Sequence, residues 1–332
     1  MQKPKFQIGT STDTAYELKR TIELQLLYVA SLFDPLRKEV GQVIHLSRQT
    51  CKKCRAILRL MRDSMGYAAY YRENRNLRDL QRELARFRDA DVQLRVFRRL
   101  SRSLPEHTRK GWYAGLMEKA KQQYRLELDQ LMDGGNAAQI ADRARSTAAQ
   151  ISTYPLSGQG FGMIAKGLSR IYRQGREMGY RVFSEDAEDH EVHELRKKAK
   201  YLQHQLFYLS GLNKTLFTAM SRTLEQLTEN LGYYNDLRLA RNSMRDYAEE
   251  NHLTPEDHGV LLEGLREEMQ KLKSDSRQLY VNVYSEPASA FVRRIGGYWE
   301  SYYRTLKHRK KVSEPSKNQV YESKSAQKSE GI

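Results

Sequence analysis

Apolar residues along this chain recur at alternating steps of three and four, and alternation at two is almost absent. That pattern lines one face of a helix and leaves no half-buried strand from which to build a sheet. Leu18, Ile22, Gln25, Val29 and Leu32 form one such row, with a polar residue at its centre. Leu77, Leu80, Leu84 and Phe87 form another; Ile164, Leu168, Ile171, Gly175, Met178 and Val182 a third; Leu195, Ala199, Leu202, Leu206 and Leu209 a fourth. Long rows with short breaks predict an all-α protein of bundled helices. The breaks fall at 133–136 (DGGN), 154–162 (YPLSGQGFG) and 251–257 (NHLTPED), where Gly, Pro, Asn and Asp supply turn chemistry.

The second break divides the chain into halves that resemble each other. At an offset of 148, His45, Arg48, Lys52, Leu58 and Met61 fall on His193, Arg196, Lys200, Leu206 and Leu209. One residue is then lost, and at an offset of 147 Leu77, Leu80, Leu84 and Asp89 fall on Leu224, Leu227, Leu231 and Asp236. The spacing predicts a duplication with pseudo-twofold symmetry. Its first helical half spans 11–150 and its second 160–311. The tail over 312–332 has little to bury and is expected to be disordered.

The repeated His-x-x-Arg-x-x-x-Lys spacing carries the functional signal. On a helix, His45, Arg48, Lys52, Arg55, Arg59 and Arg62 step by three and four and form one stripe, opposite Cys54, Ile57, Leu58 and Met61. The second copy sets His193, Arg196, Lys200 and His204 against Leu195, Ala199, Leu202 and Leu206, with Gln203 where Arg55 stands in the first. Like charges at i and i+4 repel by about 0.2–0.5 kcal/mol per pair. A stripe from 45 to 62 without an acid is therefore best explained by an anion that relieves it. Lys166, Arg170, Arg173 and Arg176 add a further basic face ahead of the second ladder. If both ladders converge on the pseudo-twofold axis, they line a groove of one sign and focus a strong positive potential. Arginine forks and mobile lysines together suit a flexible phosphate ligand.

The formal charge of +16 agrees with a polyanionic partner without selecting one. The first twenty residues hold no apolar stretch of the kind a secretory signal needs, which points to a cytoplasmic protein. The densest apolar run, LQLLYVASLF, falls well short of the ~20 residues that span a bilayer, so no membrane partner is expected.

The two ladders, with "RDADV", "YNDL" and "YRQGR", resemble the CHAD family, the conserved-histidine α-helical domain, over roughly residues 11–311. The resemblance implies paired helical bundles around a basic central cavity that binds inorganic polyphosphate, in a family whose members can localise to polyphosphate granules; the stripes hold no carboxylate cluster for magnesium, so neither enzymatic activity nor a cofactor is expected. It also implies a ligand-facing set of His45, Arg48, Lys52, Lys53, Arg55, His193, Arg196, Lys197 and Lys200. Arg59, Lys166, Arg170, Arg173 and His204 join that set from the stripes themselves. Asp89 and Asp236, one per half, are expected to brace ladder arginines in preference to holding a metal.

Other motifs fit packing better than chemistry. Cys51 and Cys54 are the only cysteines and align with Ala199 and Leu202, which makes them core residues rather than a zinc or redox pair. "HEVHE" at 190–194 has the wrong spacing for a zinc protease. Glu249-x-x-His252 is a single pair where a di-iron bundle needs two. "GQGFG" lacks the lysine of a phosphate loop and reads as a hinge. Two alternatives stay open: a phosphohydrolase acting on polyphosphate or triphosphate, and a nucleic-acid-binding helical protein, the latter disfavoured by the absence of a recognised reader motif.

Overall fold

The computed structural model describes residues 1–33, 40–102, 104–132, 135–184 and 187–313, and among these there is no strand. The expected disorder of 312–332 lies almost wholly outside the described residues. In the first half α1 (Thr14–Phe33), α2 (Val40–Leu60), the single turn α3 (Arg62–Met65), α4 (Tyr67–Glu83), α5 (Ala85–Leu100), the short α6 (Glu106–Lys110), α7 (Trp112–Met132) and α8 (Asn136–Thr153) follow one another. The second half consists of α9 (Gly162–Val182), α10 (Asp189–Tyr208), α11 (Lys214–Glu250), α12 (Pro255–Tyr284) and α13 (Ala288–Ser313). Placed by the sequence offsets, α1, α2, α7 and α8 correspond in order to α9, α10, α12 and α13, and α4 with α5 to the single helix α11. The first half breaks at Leu84, while the second runs straight through Leu231 and Gly232.

The helix ends follow the expected turn chemistry. Asn213 caps α11 by accepting from the Leu216 N–H at 3.1 Å. α12 begins with Pro255 behind a Thr254–Asp257 capping box, which satisfies amides that the helix itself leaves unpaired. Glu188 and Glu191 form the same device at the start of α10. The central break is an extended segment between α8 and α9, where Gly158 and Gly160 take positive φ of 88° and 52°. Of the break at 133–136, Asp133 and Gly134 lie outside the described residues, and Gly135 enters α8 at φ 93°.

All four apolar rows face inward. Leu18, Ile22, Val29, Leu77, Leu80, Leu84, Ile164, Leu168, Leu195, Leu202, Leu206 and Leu209 are each 0% exposed. Gln25, in the middle of the first row, is equally buried and donates to the Pro4 carbonyl at 3.0 Å. Both cysteines are free and fully buried. The largest hydrophobic cluster takes residues from both halves, because α2 packs directly on α10 and α9. At the α2–α10 crossing the buried Gln205 amide donates to the Ala56 carbonyl at 3.1 Å.

Close approach of α9 to the end of α2 requires a glycine. A Cβ on Gly167 would lie 2.3 Å from the carbonyl oxygens of both Arg59 and Leu60, and backbone atoms cannot step aside as a side chain can. Gly167→Ala is therefore expected to destabilise the protein by about 1–3 kcal/mol or more. The measurement is a lowered urea midpoint at unchanged slope.

Candidate functional site: a basic cavity between α2, α5, α10 and α11

The two ladder helices meet at a cavity of ≈ 450 Å³. α2 contributes His45, Arg48, Gln49 and Lys52; α10 contributes His193, Arg196, Lys200 and His204. Arg88, Asp89 and Val92 of α5 and Asn235, Asp236, Arg238 and Leu239 of α11 complete the wall. Six basic side chains thus face two carboxylates. The surplus is held in place by the opposite faces of the same helices: Cys54, Ile57, Leu58, Leu195, Ala199 and Leu202 are all 0% exposed. At about 1.5–3 kcal/mol per fully buried large aliphatic side chain, that packing offsets the cost of drawing cations together.

The ladder arginines are aimed by matching contacts. Arg48 Nη1 donates to the Gln81 carbonyl at 2.8 Å, and Arg196 Nε donates to the Thr228 carbonyl at 3.3 Å. Gln81 and Thr228 are counterparts at the offset of 147. Each guanidinium is tethered to a fixed backbone acceptor, and its remaining donors are left for the cavity. Arg196 also lies close over Gly232, where a Cβ would stand 3.0 Å from its Nε and Nη2. Lys200 Nζ reaches the Thr228 hydroxyl at 3.4 Å.

Like charge and withdrawal from water govern titration here. Desolvation, reinforced by Arg196, Arg48 and Lys200, pushes Lys52 down to about 7. Lys200 is lowered by desolvation and then by Arg196. Desolvation brings His193 down to about 4, with Lys197 and Arg196 acting the same way, so it is neutral near pH 7. His204, at the buried floor, is held well below its ordinary value first by burial and then by Lys200 and the lysines of α2. His45 is lowered by the same causes, with Arg88 the leading neighbour. Arg88 Nη1 and His193 Nδ1 are buried and have no partner among the described residues. Desolvation raises Asp89 and Asp236, while the field of Arg48 and Arg88 on the first, and of Arg88 and Arg196 on the second, opposes it. Both aspartates thus stand within the field of the cavity arginines. Among the described residues no group of three or more His, Cys, Asp or Glu side chains is placed to hold a metal.

The cavity gathers His45, Arg48, Lys52, His193, Arg196, Lys200 and His204 of the sequence-derived set; the other members lie elsewhere. Arg55 donates to Asn74 at 3.1 Å and to Gln81 at 2.7 Å, and Arg59 lies 3.8 Å from the centre of the Tyr201 ring. Lys53 lies over the rings of Phe6 and Phe207 at 5.1 and 5.7 Å. Positions 59 and 207, like 53 and 201, are counterparts at offset 148, so these cation–π contacts exchange their cation and ring between the halves. The physical reason is the helix crossing at Ala56 and Gln205: beyond it, α2 meets α4 and Tyr201 instead of the cavity. Arg62 likewise ends among the rings of Tyr67, Tyr70 and Tyr71. Self-repulsion along the far half of the ladder is thus relieved by the protein's own amides and rings. On α9, Arg170 is bound to Asp63 at 2.7 Å, Arg173 faces Glu177 at 3.9 Å, and Lys166 is exposed. Lys197 pairs with Glu194 at 2.6 Å on the outer surface.

Arg88 and Arg238 escape the sequence reading because their counterparts are Asn235 and Asp91, and a search for residue types shared by both halves passes over them. The usable signal for Arg88 is its place beside Asp89 in the repeated segment.

A family model described as the CHAD domain matches residues 29–245, a span that includes both ladders and all of α11 up to Arg245. Comparison with curated proteins gives no match. Among solved structures, PptA from Streptomyces chartreusis is similar with a TM-score of 0.64 at 15% identity, covering 81% of this chain and 99% of that one. The CHAD domain from the plant Ricinus communis is similar with a TM-score of 0.56 at 15% identity, covering 84% and 94%. At such identities the likeness shows a shared fold, and it agrees with the all-α architecture. From the family match and the helices it spans, the chain belongs to the CHAD-domain family.

Proposed function

We propose that this protein binds inorganic polyphosphate in the cavity between α2 and α10, without acting on it, and is thereby recruited to polyphosphate granules. The observation that carries this reading is the convergence of Arg48, Lys52, Arg196 and Lys200, from two separate helices, on one cavity with six basic groups against two carboxylates. A string of phosphates relieves that repulsion. Family membership is consistent with this ligand. No helix among the described residues is long and apolar enough to cross a membrane.

The lining favours bare phosphate over nucleic acid. No Phe, Tyr or Trp is among the residues that line the cavity, so bases would find no stacking platform there. Phosphoryl transfer calls for carboxylate-held magnesium beside the phosphates. Asp89 and Asp236 are each set against arginines, which suits charge balance better than metal binding.

Affinity for long-chain polyphosphate is expected to fall linearly on a log–log scale as salt rises, with a slope of about −4 for the net surplus of cations, by extension from nucleic acids. Titration over a salt series measures it, with DNA and RNA as competitors at matched phosphate concentration. Competition as strong as that of polyphosphate itself would favour the nucleic-acid reading. Magnesium-dependent phosphate release that is lost on changing Asp89 and Asp236 would make the protein an enzyme.

A further inference from the structure

We propose that the first half carries a second phosphate subsite at its outer mouth, formed by His45, Arg88 and Arg95, which takes up the units of a long polyphosphate chain that emerge from the central cavity. The inference rests on the polyphosphate reading above. A cavity of ≈ 580 Å³ opens between the start of α2, α5 and α7, and it shares His45 and Arg88 with the central one. The two spaces therefore meet at the same side chains. Arg95 stands on the rim and holds Asp91 at 2.8 Å in an i,i+4 pair whose arginine is well exposed. Such pairs contribute little, so a phosphate can take the place of the carboxylate at small cost. The charge of Arg95 acts on both His45 and Arg88.

The corresponding position of the second half carries a carboxylate. The offset of 148 places Asp189 where the first half has Gly41, and the offset of 147 places Tyr234 where it has Phe87. Asp189 accepts hydrogen bonds from the Tyr234 hydroxyl and, at 2.8 Å, from Arg241 Nη2. Asp189 is thus held between Tyr234 and Arg241 at the position where the first half has Gly41. At Gly41 a Cβ would meet nothing within 4 Å. Both ends carry an acid–arginine pair, but Arg95 is 58% exposed and Arg241 only 23%, so the first-half end is the more open and its cation the more available to a ligand. A linear polyanion too long for the central cavity leaves through that end.

The test compares tripolyphosphate, short enough for the central cavity, with long-chain polyphosphate, both titrated into the full chain. Gly41→Asp copies the carboxylate of the second half, and Arg95→Gln removes the rim cation. Each is expected to lower long-chain affinity about tenfold while changing tripolyphosphate affinity by no more than about twofold, with the melting temperature unchanged. Equal losses for both ligands, or no loss for either, would overturn the subsite. Undiminished long-chain binding by an Arg48→Ala/Arg196→Ala protein would overturn the underlying reading and the subsite together, which separates the two failures.

Discussion

Replacing Arg48 and Arg196 together with alanine is expected to lower affinity for long-chain polyphosphate by about two orders of magnitude or more, with the fold intact. Each guanidinium is tethered to a backbone carbonyl, at 2.8 Å and 3.3 Å, so its aim at the cavity is set before any ligand arrives. A charge-assisted hydrogen bond contributes about 1.5–3 kcal/mol, and losing two such groups gives the stated loss. The loss of stability is expected to be small, because desolvation lowers the pKa of both arginines and the cost of withdrawing their charge from water offsets part of what their contacts contribute. Calorimetric titration and a thermal melt read the two quantities separately. The exposed pair Arg173→Ala and Lys197→Ala serves as the control. Their cations face Glu177 and Glu194 on outer surfaces, and affinity is expected to change by about twofold or less.

Lys52→Met is expected to weaken binding and stabilise the ligand-free protein at the same time. Lys52 titrates at about 7 in the free protein because it is desolvated among Arg196, Arg48 and Lys200. A bound polyanion restores the charged form, so binding takes up a proton at this group. Affinity should therefore fall as pH rises above 7, by up to about tenfold per unit from this group alone. The folding sign is the reverse. The unfolded chain keeps the Lys52 proton up to the ordinary lysine range while the folded chain has lost it. Stability of the free protein therefore rises with pH between about 7 and 10 as far as this residue is concerned. Methionine removes the charge and fills the space. The expected gain at pH 7 is about 1–4 kcal/mol, by analogy with buried ions replaced by apolar side chains, and it shrinks toward pH 10. Melting temperatures and titrations at pH 7 and pH 9, for wild type and variant, check both signs. A variant that is less stable at pH 7 and equally pH-dependent in binding would contradict the account of this residue.

The helical rows and the near halves of both ladders are legible in the sequence because each depends only on helical period and on residue types repeated at a fixed offset. Leu195, Leu202 and Leu206 pack into the core for the same reason that Arg196 and Lys200 line the cavity: they point opposite ways around one helix. The far half of the first ladder is not legible, since a stripe does not say which neighbour it will meet. The crossing of α10 over Ala56 turns Arg55 and Arg59 toward Asn74 and Tyr201. Arg88 comes from α5, brought to the cavity by packing of α5 on α11 and α2, and no local pattern on α5 encodes that approach. Nor does the pattern reveal the amino-terminal segment, where Ile8 N–H donates to the Tyr208 carbonyl at 2.8 Å and Phe6 packs against His204. Two apolar residues among charged ones are too few to form a row, yet each is only 4% exposed.

The most direct measurement of the central claim is a crystal structure of the full chain soaked with polyphosphate at low ionic strength. Phosphate density is expected in the cavity between α2 and α10, within hydrogen-bond distance of Arg48, Lys52, Arg196 and Lys200. Phosphates bound only on outer faces, along α9 or around Arg55 and Arg59, with the cavity unchanged, would contradict it.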